Sequence, residues 1–243
     1  MKLILKKAHA YLYRYGQAFF FFLWWPFLYY NSRKAERYSA MNFFRRVCAF
    51  CGSTLAGVFY KFEYEQPIDW SRTYIICPNH TSNLDISSVG LLVKNNYCFI
   101  GKDELLDNPV TGLFFRTIDI PVNRESKISS FRAFKHAAER LQLGQSVIIF
   151  PEGMIPDDYP PKLHEFKNGP FRLAIDHKIP IIPVTSLDTW KILWDTGLLY
   201  GSKPGVCHIY VHKPIETTHL TLEDADRLKD EVFNLMQRKF EQG

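Results

Sequence analysis

Thr73-Tyr74-Ile75-Ile76-Cys77-Pro78-Asn79-His80-Thr81-Ser82-Asn83-Leu84-Asp85 passes from an apolar run into a polar cluster at a single proline. Residues 73–77 read as a short buried strand, and Pro78, which has no N–H to give a ladder, ends it. A second run, Ser146-Val147-Ile148-Ile149-Phe150, is ended the same way by Pro151 and delivers Glu152-Gly153. Two polar clusters leaving the same ends of two apolar strands describe the edge of an open α/β sheet where ligands bind. An imidazole followed by a carboxylate, with a second carboxylate nearby, suits proton abstraction without an obvious protein nucleophile.

The spacing alone carries little, because His219 to Asp224 repeats it. In that copy Thr221 and Asp224 fall at capping-box spacing before an amphipathic run, which reads as a helix start. Context is what separates His80/Asp85 from it. Working outward, strand signals fall at 59–64, 73–77, 97–100, 117–122, 147–150, 180–185 and 206–211. Helical stripes fall at 86–93, at 126–143 with Gly144 in the closing position, and at 221–240. Such alternation predicts an α/β fold, a mixed sheet covered by helices.

A chain of 243 residues, 47% hydrophobic, suffices for one good core with an appendage. Its net charge of +5 is unevenly spread: residues 1–46 hold nine Lys/Arg against Glu36 alone, which is +8, and leave −3 for the remainder. The same 46 residues carry 15 of the 38 aromatics. A basic, aromatic segment beside a near-neutral domain suits an anionic membrane surface. Nucleic acid is the competing partner, but Phe19-Phe20-Phe21-Phe22-Leu23-Trp24-Trp25 is a continuous greasy run and not aromatics alternating with cations, so none is expected.

The apolar stretch 18–30 would reach only about 20 Å as a helix, short of a hydrocarbon core of roughly 30 Å, and Pro26 would kink it. A second helical stripe runs through Phe43, Phe44, Val47, Phe50, Cys51, Leu55 and Val58. We therefore expect residues 1–58 to form two membrane-associating helices lying in or on one leaflet, with a full span as the alternative, and residues 59–243 to form the catalytic domain. Nothing after Tyr30 resembles a small-residue cleavage site. Five cysteines without framework spacing read as packing thiols, and the lone Cys48/Cys51 pair lacks the second pair of a zinc site. A reducing, cytoplasmic face of a membrane is the expected location.

Asn79-His80 through Asp85, then Phe150-Pro151-Glu152-Gly153, then Ile179-Pro180-Ile181-Ile182-Pro183-Val184 resemble three ordered blocks of the 1-acylglycerol-3-phosphate acyltransferases, the PlsC-like glycerophospholipid acyltransferases. Gly112 and Pro121-Val122-Asn123-Arg124 look like the intervening block that ends in arginine, and Phe166-Lys167-Asn168-Gly169 is similar to the family's Phe-Lys-x-Gly segment. Together they cover roughly residues 60 to 215. At one place the chain departs from the pattern. The family commonly continues Pro-Glu-Gly with Thr-Arg-Ser, and here Met154-Ile155-Pro156 takes that place.

The resemblance implies a glycerol-3-phosphate acyltransferase-like fold and transfer of a fatty acyl group from acyl-CoA or acyl-ACP, as co-substrate and with no further cofactor. The acceptor it implies is the free hydroxyl of a lysophospholipid, by default 1-acyl-sn-glycerol-3-phosphate giving phosphatidate. The same chemistry on a lyso-aminolipid, or a lipid-binding protein without turnover, are the alternatives. His80 and Asp85 are then catalytic, Glu152, Gly153, Arg124 and Lys167 bind the acceptor, and no metal takes part. Without the Thr-Arg-Ser arginine, whose planar fork suits phosphate, Lys102, Arg124, Lys167 and Arg172 are the remaining cations.

Five residues are about 500° of helical turn, so His80 and Asp85 cannot share a face within one helix. A workable arrangement puts His80 before a helix start and Asp85 in its first turns, reaching back to one ring nitrogen. The carboxylate then fixes the tautomer, as in the histidine–aspartate half of a serine-hydrolase triad. No Gly-x-Ser-x-Gly elbow occurs, so the nucleophile would be the substrate's own hydroxyl attacking a thioester. Backbone N–H groups at the helix start are the expected oxyanion donors. Two other readings stay open: His80 and Asp85 merely cap a helix, or with Glu152 they grip a divalent metal, for which no His or Cys stands at ligand spacing.

Overall fold

A computed structural model describes residues 2–155, 157–194 and 201–242. The N-terminal segment forms α1 (Lys2–Leu23), α2 (Trp25–Ser32) and α3 (Tyr38–Leu55). Then come β1 (Val58–Tyr64), β2 (Ile75–Pro78), α4 (Leu84–Leu92), β3 (Tyr97–Lys102), α5 (Gly112–Phe115), β4 (Ile120–Val122), α6 (Lys127–Gln142) and β5 (Ser146–Ile148). The chain closes with α7 (Gly169–His177), β6 (Ile181–Ser186), α8 (Thr189–Ile192), β7 (Gly205–Val211) and α9 (Ala225–Phe240).

The seven strands form one sheet in the order β1-β7-β6-β2-β5-β3-β4. Every described pairing is parallel except β6 with β7. The mixed α/β sheet expected from the alternation is therefore present. Strand order decides which loops share an edge. β2 lies between β5 and β6, and since these strands are parallel, the loops leaving all three emerge side by side. Ile75, Ile76 and Cys77 are fully buried, as continuous apolar strands covered on both faces require.

The structure amends several readings. The strand expected at 117–122 shrinks to β4, because Asp119 N–H donates to the Phe114 carbonyl at 2.8 Å and the Thr117 hydroxyl to that of Leu113 at 2.7 Å, which closes a turn first. The second His-x4-Asp is the helix start it seemed: Thr221 N–H donates to the Asp224 carboxylate at 2.8 Å within a full capping box. Ser126 caps α6, and Gly144 takes φ +74° just beyond it. All five cysteines are free, and all but Cys51 are buried.

The N-terminal region differs more. Helix begins at Lys2, so α1 alone is about 33 Å long, and three helices replace the expected two. Pro26 does not kink a continuous helix. The chain breaks at Trp24, and Pro26 sits in the first turn of α2, where its missing N–H costs nothing. Phe21, Leu28 and Met41 are buried against Phe114 and Ile118 of the sheet domain, each burial stabilising by roughly 1.5–3 kcal/mol. Arg45, one of the nine counted cations, turns inward to Asp119 at 2.7 Å, and Arg46 donates to the Val93 carbonyl at 3.0 Å. Among the described residues no helix is long and apolar enough to cross a membrane.

Candidate active site

Pro78 ends β2 and the chain enters Asn79–Ser82 before α4 begins. Asn79, fully buried, fastens this loop to the end of β6: Ser186 N–H donates to its Oδ1 at 2.7 Å and its amide donates to the Ser186 carbonyl at 3.1 Å. His80 comes next, and Asp85 stands in the first turn of α4. The His80 Nδ1 donates to Asp85 Oδ2 at 3.3 Å, which is the predicted reach back to one ring nitrogen. The ring stacks on Phe150, just past β5, with centroids 4.0 Å apart. Its Nε2 makes no hydrogen bond among the described residues.

Asp85 is wholly buried and held by more than the histidine. Its Oδ2 also accepts from Thr81 N–H at 2.7 Å and Ser82 N–H at 2.8 Å, while Oδ1 accepts from the Thr189 hydroxyl at 2.6 Å. Leu84 N–H and Asp85 N–H are taken by the Ser82 hydroxyl and carbonyl. The expectation that amides at this helix start hold an oxyanion thus fails at residues 81, 82, 84 and 85. A buried carboxylate and the turn itself have claimed those donors.

Glu152 arrives from the β5 side and is 4% exposed. Its Oε1 accepts from His80 N–H at 2.7 Å and its Oε2 from His164 N–H at 2.8 Å. Two amide donors favour the ionised form, but burial outweighs them and pushes Glu152 up to about 8, with Asp85 adding to the effect. The carboxyl predicted to face the acceptor is therefore engaged with backbone on both oxygens and braces the histidine's own peptide.

Gly153 has φ +74°, and a Cβ there would lie 3.0 Å from Lys167 Nζ. The structure thus brings exposed Lys167 over the Glu152-Gly153 turn, with its N–H donating to the Pro151 carbonyl at 2.9 Å. Arg124, exposed just past β4, emerges at the same sheet edge but further along it, within electrostatic reach of Asp103 and Glu104. Lys102 is paired with Glu104 at 2.6 Å, and Arg172 lies exposed on α7. Met154 is exposed where the family's pattern has Thr, while Pro156 lies outside the described residues.

Sequence reasoning missed Thr189. It lies just past β6, so the strand order sets it on the opposite side of the His80 loop from Glu152, and it is fully buried between Asp85 and Thr81. A threonine after Asp188 is an ordinary helix-start residue, and only the parallel pairing of β2 with β6 marks it.

An acyltransferase family model matches residues 60–187, which includes the His80 loop, Arg124, the Glu152-Gly153 turn and Lys167. An uncharacterised acyltransferase of Schizosaccharomyces pombe is 30% identical over 76% of this chain and 66% of its own length. A chloroplastic 1-acyl-sn-glycerol-3-phosphate acyltransferase of Brassica napus is 33% identical over 64% of this chain and 43% of its own. The chain thus spans from less than half to about two thirds of these curated relatives. The crystal structure of PlsC, a 1-acyl-sn-glycerophosphate acyltransferase from Thermotoga maritima, superposes with a TM-score of 0.80 at 20% identity, covering 100% of this chain and 97% of that one. The likeness extends the shared fold across the N-terminal helices as well as the sheet. Since the matched family model takes in more than half of the chain and every block around His80, the chain belongs to the acyltransferase family.

Proposed function

We propose that the protein transfers a fatty acyl group from a thioester, on CoA or an acyl carrier protein, to the free hydroxyl of a lysophospholipid, 1-acyl-sn-glycerol-3-phosphate first among them. The observation that carries this reading is the His80 ring. Nδ1 is tied to a buried, fourfold-held carboxylate, and Nε2 is left without a partner among the described residues. Nε2 takes the proton of the acceptor hydroxyl as its oxygen attacks the thioester carbonyl. The tetrahedral adduct collapses, the C–S bond breaks, and the imidazolium returns its proton to the departing thiolate. Asp85 holds the ring and offsets the charge that forms on it.

Glu152 supports this chemistry by fixing the His80 peptide, and Gly153 lets Lys167 lie over the turn. Lys167 and Arg124 meet the acceptor's phosphate in place of the missing Thr-Arg-Ser arginine. The exposed faces of α1, α2 and α3, with Phe19, Phe22, Phe27, Phe43 and Phe50 outward, seat the protein on an anionic membrane as a peripheral or monotopic enzyme. The relatives named for 1-acyl-sn-glycerol-3-phosphate support this choice of acceptor. Incubation with labelled acyl-CoA and a panel of lysolipids tests it: product forms with wild type, and His80→Ala lowers the rate by about 10²–10⁴-fold. A His80→Ala rate above half of wild type would remove His80 as the base.

A further inference from the structure

The sheet ends on two edge strands, β4 and β1, that are finished differently. β4 is blunted: it is three residues long with Pro121 at its centre, so it offers little to another strand. β1 runs for seven residues, Val58-Phe59-Tyr60-Lys61-Phe62-Glu63-Tyr64, in unbroken register with β7, and holds neither proline nor bulge. We propose that a second copy of this chain pairs antiparallel along β1, with Phe62 on the two-fold axis. The pairing goes beyond the acyl-transfer reading and does not depend on it.

Backbone geometry fixes which groups of β1 are free. Gly205 N–H donates to the Gly57 carbonyl at 3.0 Å, and Glu65 N–H donates to that of Val211 at 2.9 Å. The odd-numbered residues of β1 therefore turn their backbone groups to β7. Along a strand the next residue turns its own N–H and carbonyl the other way. Those of Tyr60, Phe62 and Tyr64 point away from the sheet, and among the described residues no hydrogen bond reaches them. Such a row of open donors and acceptors is a template for another strand.

Charge selects the occupant and the register. Lys61 and Glu63 are both exposed on the sheet face opposite Tyr60. Glu63 is 3.9 Å from Lys239, and Lys61 has no carboxylate partner among the described residues. When the even residues exchange hydrogen bonds, the odd ones face each other in the closer, non-hydrogen-bonded pairs. A two-fold pairing centred on Lys61 would set lysine against lysine, and one centred on Glu63 glutamate against glutamate. Centring on Tyr64 would set Glu63 against Glu65, while centring on Tyr60 leaves both charges unpaired. With Phe62 on the axis, Lys61 of each copy faces Glu63 of the other, and Tyr60 pairs with Tyr64. That axis stands perpendicular to the sheet, so both copies turn the same face the same way. The Tyr60 face carries α1 and α3: the Tyr60 hydroxyl meets Ser53 at 3.3 Å, and its ring packs on the cluster that holds Ala10 and Tyr13. Both N-terminal helical layers thus lie on one side of the joined sheet, where their outward aromatic faces can rest on a single membrane.

Sedimentation equilibrium of the full chain, in a density-matched non-ionic detergent, reads the association directly. The samples are wild type, Lys61→Glu, Glu63→Lys, and an equimolar mixture of the two variants. Both positions are exposed, so the variants keep the fold, which melting temperatures equal to that of wild type check. Wild type should dimerise at micromolar concentration. Each variant alone sets like charges opposite one another twice, which should raise its dimer Kd by about 10-fold or more. In the mixture one copy offers two carboxylates at these positions and the other two ammonium groups, so Kd should return to within about threefold of wild type. Lys61→Cys and Glu63→Cys give a second readout, since under oxidation they should cross-link when mixed and not separately beyond the wild-type level. A wild type that stays monomeric would overturn the inference and leave the edge to a strand of another protein. Dimers that neither charge variant weakens would also overturn it, by moving the contact to another face. Loss in both variants with no rescue on mixing would overturn it as well, because the cross-strand pairs would then not be Lys61 with Glu63.

Discussion

Asp85 offers the sharpest perturbation, because its two standard substitutions part ways. Three donors converge on Oδ2: the Thr81 and Ser82 amides and His80 Nδ1. In Asp85→Asn the side-chain oxygen must occupy that position, since the NH₂ group would face two buried N–H groups. The tautomer of His80 is thereby kept, and the NH₂ falls to Thr189, whose hydroxyl can turn to accept from it and donate to Thr81 Oγ1, 3.1 Å away. What is lost is the charge opposite the imidazolium. At an effective dielectric of about 20 a pair about 4 Å apart interacts by roughly 4 kcal/mol. A neutral hydrogen bond recovers about 1 kcal/mol of it. The expected fall in kcat is therefore about 10²-fold, not the roughly 10⁴-fold of a triad whose amide holds the wrong tautomer. Asp85→Ala instead orphans two buried amides, at about 1–3 kcal/mol each, so the protein should melt roughly 5–20 °C lower. Steady-state kinetics and thermal unfolding of both variants decide it. An Asp85→Ala protein that melts with wild type, or the same kcat loss in both variants, would show that the carboxylate does not organise this loop.

Glu152 is held up at about 8 against an ordinary 4.5, so the folded state keeps a proton that the unfolded chain releases, and stability declines as pH rises between those values. Glu152→Gln should flatten that decline, a difference on the order of several kcal/mol by urea unfolding at pH 5.5, 7 and 9, and parallel curves would refute it. Replacing outward Phe19, Phe22 and Phe27 with Ser, while leaving buried Phe21 and Leu28 intact, should lower co-sedimentation with phosphatidylglycerol vesicles by more than 10-fold at unchanged melting temperature, and wild-type sedimentation would remove this face as the anchor. Arg124→Ala should cut kcat/KM for lysophosphatidate by about 10–100-fold and barely touch a neutral lysolipid, whereas equal losses on both would make Arg124 structural.

What could be read from the sequence was whatever one strand and its exit determine locally. Residues 73–77 and 147–150 announce themselves by apolar runs stopped at Pro78 and Pro151, and parallel neighbours then put His80 and Glu152 together. The donors that hold the two carboxylates were invisible for a physical reason: Thr81, Ser82, His80 and His164 act through backbone amides, which every residue but proline has. Thr189 lies 104 positions from Asp85, and Arg45 lies 74 from Asp119, so both contacts exist only once the sheet is ordered. Residues 2–17 hid their helix because its inward face is built of Ala10, Tyr13 and Gly16, which no apolar periodicity reveals.

That inward face also changes what the N-terminal segment is for. Were it only an anchor, its contacts with the sheet domain would be apolar and interchangeable. Instead the Tyr13 hydroxyl meets Ser87 on α4 at 2.9 Å, two residues along from Asp85 on the same helix. His9 and the Lys6 carbonyl close on Ser202, just before β7, and His9 Nε2 meets the Ala56 carbonyl at 2.7 Å. Buried polar contacts of this kind are specific in position, since a partner shifted out of reach leaves an unsatisfied group behind. One helix thus presents Tyr15, Phe19 and Phe22 outward and fixes, with its opposite face, both α4 and the Ser202 turn. The surface read as meeting the membrane and the site read as meeting the thioester are held at a set distance by a single 22-residue element.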